Sequence, residues 1–128
     1  MNIYLDVNGV LLEQNLTPAI GVTAFLERAL AKGNVYWLTS HCKGDTTPVL
    51  AYLERMLPPE AYELTKQIKP TNWDVLKTDG IDFSEDFLWF DDNLFESEKR
   101  VLAKHGCEGK FVLIDLKGNA RQLEAFRF

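Results

Sequence analysis

Asp6 closes the apolar run from Asn2 to Leu5 and opens the segment Asp6-Val7-Asn8-Gly9-Val10; Asp91 and Asp92 close a second run, Phe87 to Phe90, and lead into Asn93. Each run is short, bounded and rich in aromatic or β-branched residues, the pattern of a buried strand. Carboxylates at the carboxyl ends of two strands of one parallel sheet point into a common crevice, where open α/β sheets bind ligands. Two or three acidic oxygens converging there suit a hard divalent cation, magnesium before others. Such a site points to chemistry on phosphate.

The elements needed to bring these residues together alternate along the chain. After the first strand, Thr17 reads as an N-cap with Pro18 at the first helical position, and that helix should end near Lys32-Gly33. A strand follows from Val35 to Thr39, then a helix from about Thr46 to Leu57, stopped by Pro58-Pro59. A weak strand is expected over Tyr62 to Thr65 and a helix or helical turn between Thr71 and Ile81, ahead of the strand from Phe87 to Asp91. Asn93 with Glu96 three residues on forms a capping-box-like start for the next helix, and Gly106 after His105 supplies its left-handed end. Lys110 to Asp115 reads as the last strand, and a short helix begins at Asn119. Strands alternating with helices predict a doubly wound, Rossmann-like parallel sheet with helices on both faces. No Gly/Ser-rich linker interrupts the alternation, so residues 1–128 read as a single domain.

Composition narrows the function classes. At 128 residues the chain is long enough to bury about two thirds of its unfolded surface in one core. A net charge of −5 argues against a surface built to neutralise nucleic-acid phosphates, so nucleic acid is an unfavoured partner. Cys42 and Cys107 lie in no metal-ligand spacing and read as reduced thiols. No apolar stretch nears the roughly 20 residues that span a bilayer, and no signal-peptide pattern precedes the first strand; a cytoplasmic protein without a membrane partner is the expectation.

In chain order the chemistry-bearing residues are Asp6, Thr39 and Ser40 after the second strand, Lys69 and Lys77, then Asp91 and Asp92. Taken together, Asp6-Val7-Asn8-Gly9-Val10-Leu11-Leu12, Trp37-Leu38-Thr39-Ser40, a lysine, and Trp89-Phe90-Asp91-Asp92 resemble the haloacid dehalogenase-like (HAD) superfamily of phosphatases and phosphotransferases. The resemblance runs from residue 2 to about 115. Each piece alone is common; four in order, each attached to the right kind of strand, are specific.

The resemblance implies a nucleophilic Asp6 that forms an aspartyl-phosphate. It implies Mg2+ held by Asp6, the backbone carbonyl of Asn8, Asp91 and Asp92. Thr39 would bond a phosphate oxygen, with Ser40 the alternative, and Gly9 would permit a tight turn that brings backbone amides to the phosphate. A lysine would stabilise charge on the transferring group. Lys69-Pro70 resembles the lysine segment of many members and Lys77-Thr78-Asp79-Gly80-Ile81 that of small capless ones; the reading leans to Lys77 as the catalytic lysine and keeps Lys69 as a substrate-binding alternative. The intervals between motifs leave no room for a cap domain, which implies an open site and extends the phosphorylated substrate to macromolecules.

Hydrolytic members carry Asp where this chain has Asn8. That second Asp protonates the leaving oxygen and then activates water; an amide does neither, and losing a general acid–base costs about 10²–10⁴-fold in rate. Three readings accommodate Asn8: a slow or specialised enzyme, a catalytically inactive module that binds phospholigands or proteins, or an active enzyme carrying a trapping substitution. His41 could touch substrate or be an ordinary loop residue, and Trp37 and Trp89 read as core. A signalling receiver domain combines the same residue types, but its acidic pair follows the first strand, whereas here the pair comes last.

Overall fold

The computed structural model describes all 128 residues. Its sheet has four parallel strands, β1 (Asn2–Leu5), β2 (Asn34–Trp37), β3 (Phe87–Asp91) and β4 (Phe111–Leu113), in the order β2-β1-β3-β4. Around it run α1 (Val22–Lys32), α2 (Thr47–Met56), α3 (Pro59–Thr65), α4 (Glu96–Lys104) and α5 (Gln122–Ala125). The fold is therefore α/β with an all-parallel sheet. No helix is long and apolar enough to cross a membrane.

Side-chain alternation along the strands divides the core. Ile3, Leu5, Val35, Trp37 and Phe90 join Phe25 and Leu26 of α1, Val49 and Leu53 of α2, Ala61 of α3 and Leu123 of α5 in one cluster. Tyr4, Phe87 and Trp89 point the other way and pack with Leu102 of α4 in a second. The central strands are thus apolar on successive residues, as a sheet covered on both faces requires. Trp37 and Trp89 are fully buried, and both cysteines are free thiols.

Several elements differ from the sequence reading: β4 covers only Phe111–Leu113 of the strand expected over Lys110 to Asp115, α5 starts at Gln122 and not Asn119, and three further differences have a local cause. The first helix starts at Val22, not near Thr17: Thr17 bonds locally to Asn15 and Glu13, Pro18 bridges to Leu12, and Gly21 at φ 75° turns the chain into the helix. Residues Tyr62 to Thr65 are helical. Pro59 opens α3 at a position that needs no N–H donor, and Ala61 and Thr65, one turn apart, supply its buried face. The helix after β3 begins at Glu96, with Phe95 rather than Asn93 as its cap and Glu98 reaching back to the Phe95 N–H; the Asn93 N–H donates to Asp91 Oδ1 at 3.2 Å.

Candidate active site

Register brings the two acidic segments together. Leu5 of β1 pairs with Phe90 of β3, and the next residue, Asp6, donates its N–H to the Phe90 carbonyl at 3.1 Å. Asp6 and Asp91 therefore leave neighbouring strands side by side at the carboxyl end of the sheet. Val7 N–H donates to Asp6 Oδ1 at 2.8 Å, which fixes that carboxylate and leaves Oδ2 facing the Lys77 ammonium at 3.3 Å. Lys77 also donates to Asp91 Oδ2 at 2.7 Å. Asp6, Asp91 and Asp92 each offer an oxygen, all within 4.8 Å of one another.

Three carboxylates against one ammonium leave the cluster short of positive charge. Burial, followed by the nearby Asp6 charge, pushes the Asp91 carboxyl up to about 8, against the pull of Lys77. Burial alone would lower Lys77, but Asp6 and Asp91 outweigh it and hold its pKa above the usual lysine value. An oxygen-only donor set with surplus negative charge fits a small hard dication better than a further amine.

Lys77 lies at the start of a 3₁₀ turn, Lys77–Gly80, and is the lysine brought to the cluster. Lys69 is not. It bridges to Tyr36, and its ammonium lies 3.4 Å from Asn34 Oδ1, at the opposite, amino end of β2. Thr39 follows β2 at the carboxyl end and is fully buried, its Oγ1 accepting from His41 N–H at 3.3 Å; Ser40 is exposed. Gly9 has φ 83°, and a Cβ there would fall on the Asp92 carboxylate. Its own N–H is spent on the Leu12 carbonyl at 2.7 Å, and the amides of Val10, Leu11 and Leu12 all donate to Val7. The turn accordingly gives Asp92 room to approach, and these four amides are occupied within it.

Asn8 is held by residues that its sequence neighbourhood does not announce. Tyr52 in α2 donates its hydroxyl to Asn8 Oδ1 at 3.1 Å, and the amide nitrogen lies 3.3 Å from His41 Nε2. The His41 and Tyr52 rings stack, with centroids 4.5 Å apart and planes within 11°. Glu98 was also missed; it is a buried carboxylate of α4 that accepts from the Lys77 backbone N–H. A groove of about 420 Å³ shares Gly9 and Asp92 with the cluster and is walled further by Glu13, Asp115 and Lys117. Comparison with family models, curated proteins and solved structures finds no match.

Proposed function

We propose that the parallel sheet is the doubly wound core of a capless HAD-like domain, and that the chain is a magnesium-dependent phosphohydrolase or phosphotransferase working through an aspartyl-phosphate on Asp6. One observation carries this reading: Asp6, Asp91, Asp92 and Lys77, spread over 87 positions of sequence, meet at the carboxyl end of two adjacent parallel strands. The Asp6, Asp91 and Asp92 carboxylates with the Asn8 carbonyl would hold Mg2+, which when bound offsets repulsion between an attacking carboxylate and a phosphate dianion.

In the first step an Asp6 oxygen bonds to phosphorus while the leaving group departs with its bonding electron pair, giving an acyl phosphate. Water then attacks phosphorus and returns Asp6 as a carboxylate; in a transfer reaction another acceptor takes the water's place. Lys77 neutralises charge on the phosphoryl oxygens. Thr39 supplies a hydroxyl at the same strand ends, and the adjoining groove offers space for the leaving group. Asn8 has no proton to give that group and cannot take one from water, so turnover is slow or confined to activated phosphates.

A second reading, a phospholigand-binding module without turnover, is favoured by the commitment of the Asn8 amide to Tyr52 and His41. One assay separates the two. Purified protein with magnesium and acetyl phosphate or para-nitrophenyl phosphate should show low turnover, abolished by Asp6→Ala and raised at least about tenfold by Asn8→Asp. Turnover indifferent to Asp6→Ala would remove the nucleophile assignment, and complete inactivity would favour the binding module.

A further inference from the structure

We propose that Glu98 is a positioning residue for Lys77, holding the turn that aims its ammonium at Asp6 and Asp91. The inference rests on the reading above that Lys77 bears the charge-stabilising role. Glu98 lies in the first turn of α4 and is only 2% exposed. Its two oxygens accept from backbone: Oε1 from Phe95 N–H at 3.1 Å and Oε2 from Lys77 N–H at 3.1 Å. The first bond is the reach-back half of a helix-start capping pattern, which a solvent-exposed glutamate performs as well. Capping does not account for the second bond or for the burial. The cost of desolvating a carboxylate is met here by two N–H donors and by the positive end of α4.

The bonds form a closed circuit. Asp91 Oδ2 accepts from the Lys77 ammonium at 2.7 Å, and Asp91 Oδ1 from Asn93 N–H at 3.2 Å. From Asn93 the chain runs two residues to Phe95, whose N–H donates to Glu98, and Glu98 returns to the Lys77 backbone. Lys77 is thereby tied at its main chain and at its side-chain tip to the same segment, β3 into α4. Without the Glu98 bond, Lys77 follows an extended residue, Leu76 (φ −101°, ψ 130°), and the start of its 3₁₀ turn loses this anchor.

Glu98→Gln tests this, since an amide retains one acceptor oxygen and presents a donor to the other N–H. In nitrogen-15 NMR of lysine-labelled protein, the wild-type Lys77 ammonium should give a resolved signal distinct from the solvated lysines. In Glu98→Gln it should broaden or merge with them, and an unchanged signal in the folded variant would overturn the proposal. In acetyl phosphate turnover, Glu98→Gln should lower kcat about tenfold or more in the wild-type background and less than about twofold when Lys77→Ala is already present, while its loss of Tm recurs in both. An equal kcat loss in both backgrounds would assign Glu98 a merely structural part. Should the wild type show no turnover, the phosphoryl-transfer reading fails and the ammonium signal still decides the positioning claim. If Glu98→Gln does not fold, hydrogen exchange of the wild type decides: the Lys77 and Phe95 amides should be protected and open together, and an unprotected Lys77 amide would refute the clamp.

Discussion

Lys77→Met removes the one positive charge in the cluster while keeping a long apolar stem, and its cost should depend on pH. The Lys77 side chain is 18% exposed and that of Asp91 2%, so the pair lies in the range where losing one partner costs about 3–5 kcal/mol if the other must stay charged. Asp91 need not stay charged, because its carboxyl is already pushed up to about 8 by burial and Asp6. At about pH 6 it is protonated in the metal-free protein, and the loss should be smaller, ~2–3 kcal/mol, from packing, the broken hydrogen bond and the lost ion pair with Asp6 at 3.3 Å. At about pH 9 the wild type holds Asp91 ionised against Lys77, whereas the variant must bind a proton there at ~1.4 kcal/mol per pH unit or keep that charge buried without its cation. The loss should then reach ~3–5 kcal/mol. Urea unfolding at the two pH values, without metal and then with millimolar magnesium, measures this directly. Magnesium should shrink the difference, and turnover should fall about 10²–10³-fold at either pH. A loss equal at both pH values, or below about 0.5 kcal/mol throughout, would show that Lys77 does not balance these carboxylates.

Two further outcomes follow from the same geometry. The Asp91 carboxyl is raised in the folded state, so between about pH 4 and about pH 8 the native protein binds the extra proton and loses stability as pH rises through that window. If Asp91 holds magnesium as proposed, the ion has to displace that proton: its affinity should climb with pH up to about 8, with proton release near pH 7 detected by titration calorimetry in two buffers of different ionisation enthalpy. Release of no protons would mean that Asp91 does not meet the metal. Gly9→Ala should cost ~1–3 kcal/mol because of the left-handed backbone, and it should weaken magnesium binding by forcing Asp92 away. An unfolding midpoint and a magnesium isotherm both equal to wild type would contradict the close approach of residues 9 and 92.

The parts of the site legible in the sequence were those fixed by local pattern. Phe87 to Phe90 and Asn2 to Leu5 could only be short buried strands, and carboxylates after each could meet only if the strands were neighbours, as their pairing in β1 and β3 shows. The place of Thr39 just past the end of β2 was readable for the same reason. Between the two lysines the sequence favours Lys77 only by resemblance, since the chain between Ile68 and Lys77 carries no periodicity that says which residue returns to the carboxyl end. Asn8's partners were invisible because Tyr52 lies 44 residues away on the flank of a helix whose buried stripe runs through Val49 and Leu53. At Tyr62 to Thr65, residues with a liking for strands were overruled by the helix start that Pro59 provides. Glu98 is masked in the sequence because Asn93 and Glu96 offer the same capping spacing that Phe95 and Glu98 fulfil in the fold.

The central claim is that Asp6 accepts a phosphoryl group in the crevice it shares with Asp91, and an acyl phosphate can be trapped there. On that claim, Asn8 leaves the site without the base that activates water, so the intermediate should outlast a rapid quench. After incubation with acetyl phosphate and magnesium, acid quenching and borohydride reduction, peptide mass spectrometry should find the aspartate at position 6 converted to its alcohol, homoserine. The conversion should depend on magnesium. Reduction at position 91 or 92 instead, or none at position 6 while phosphate is being released, would contradict the account.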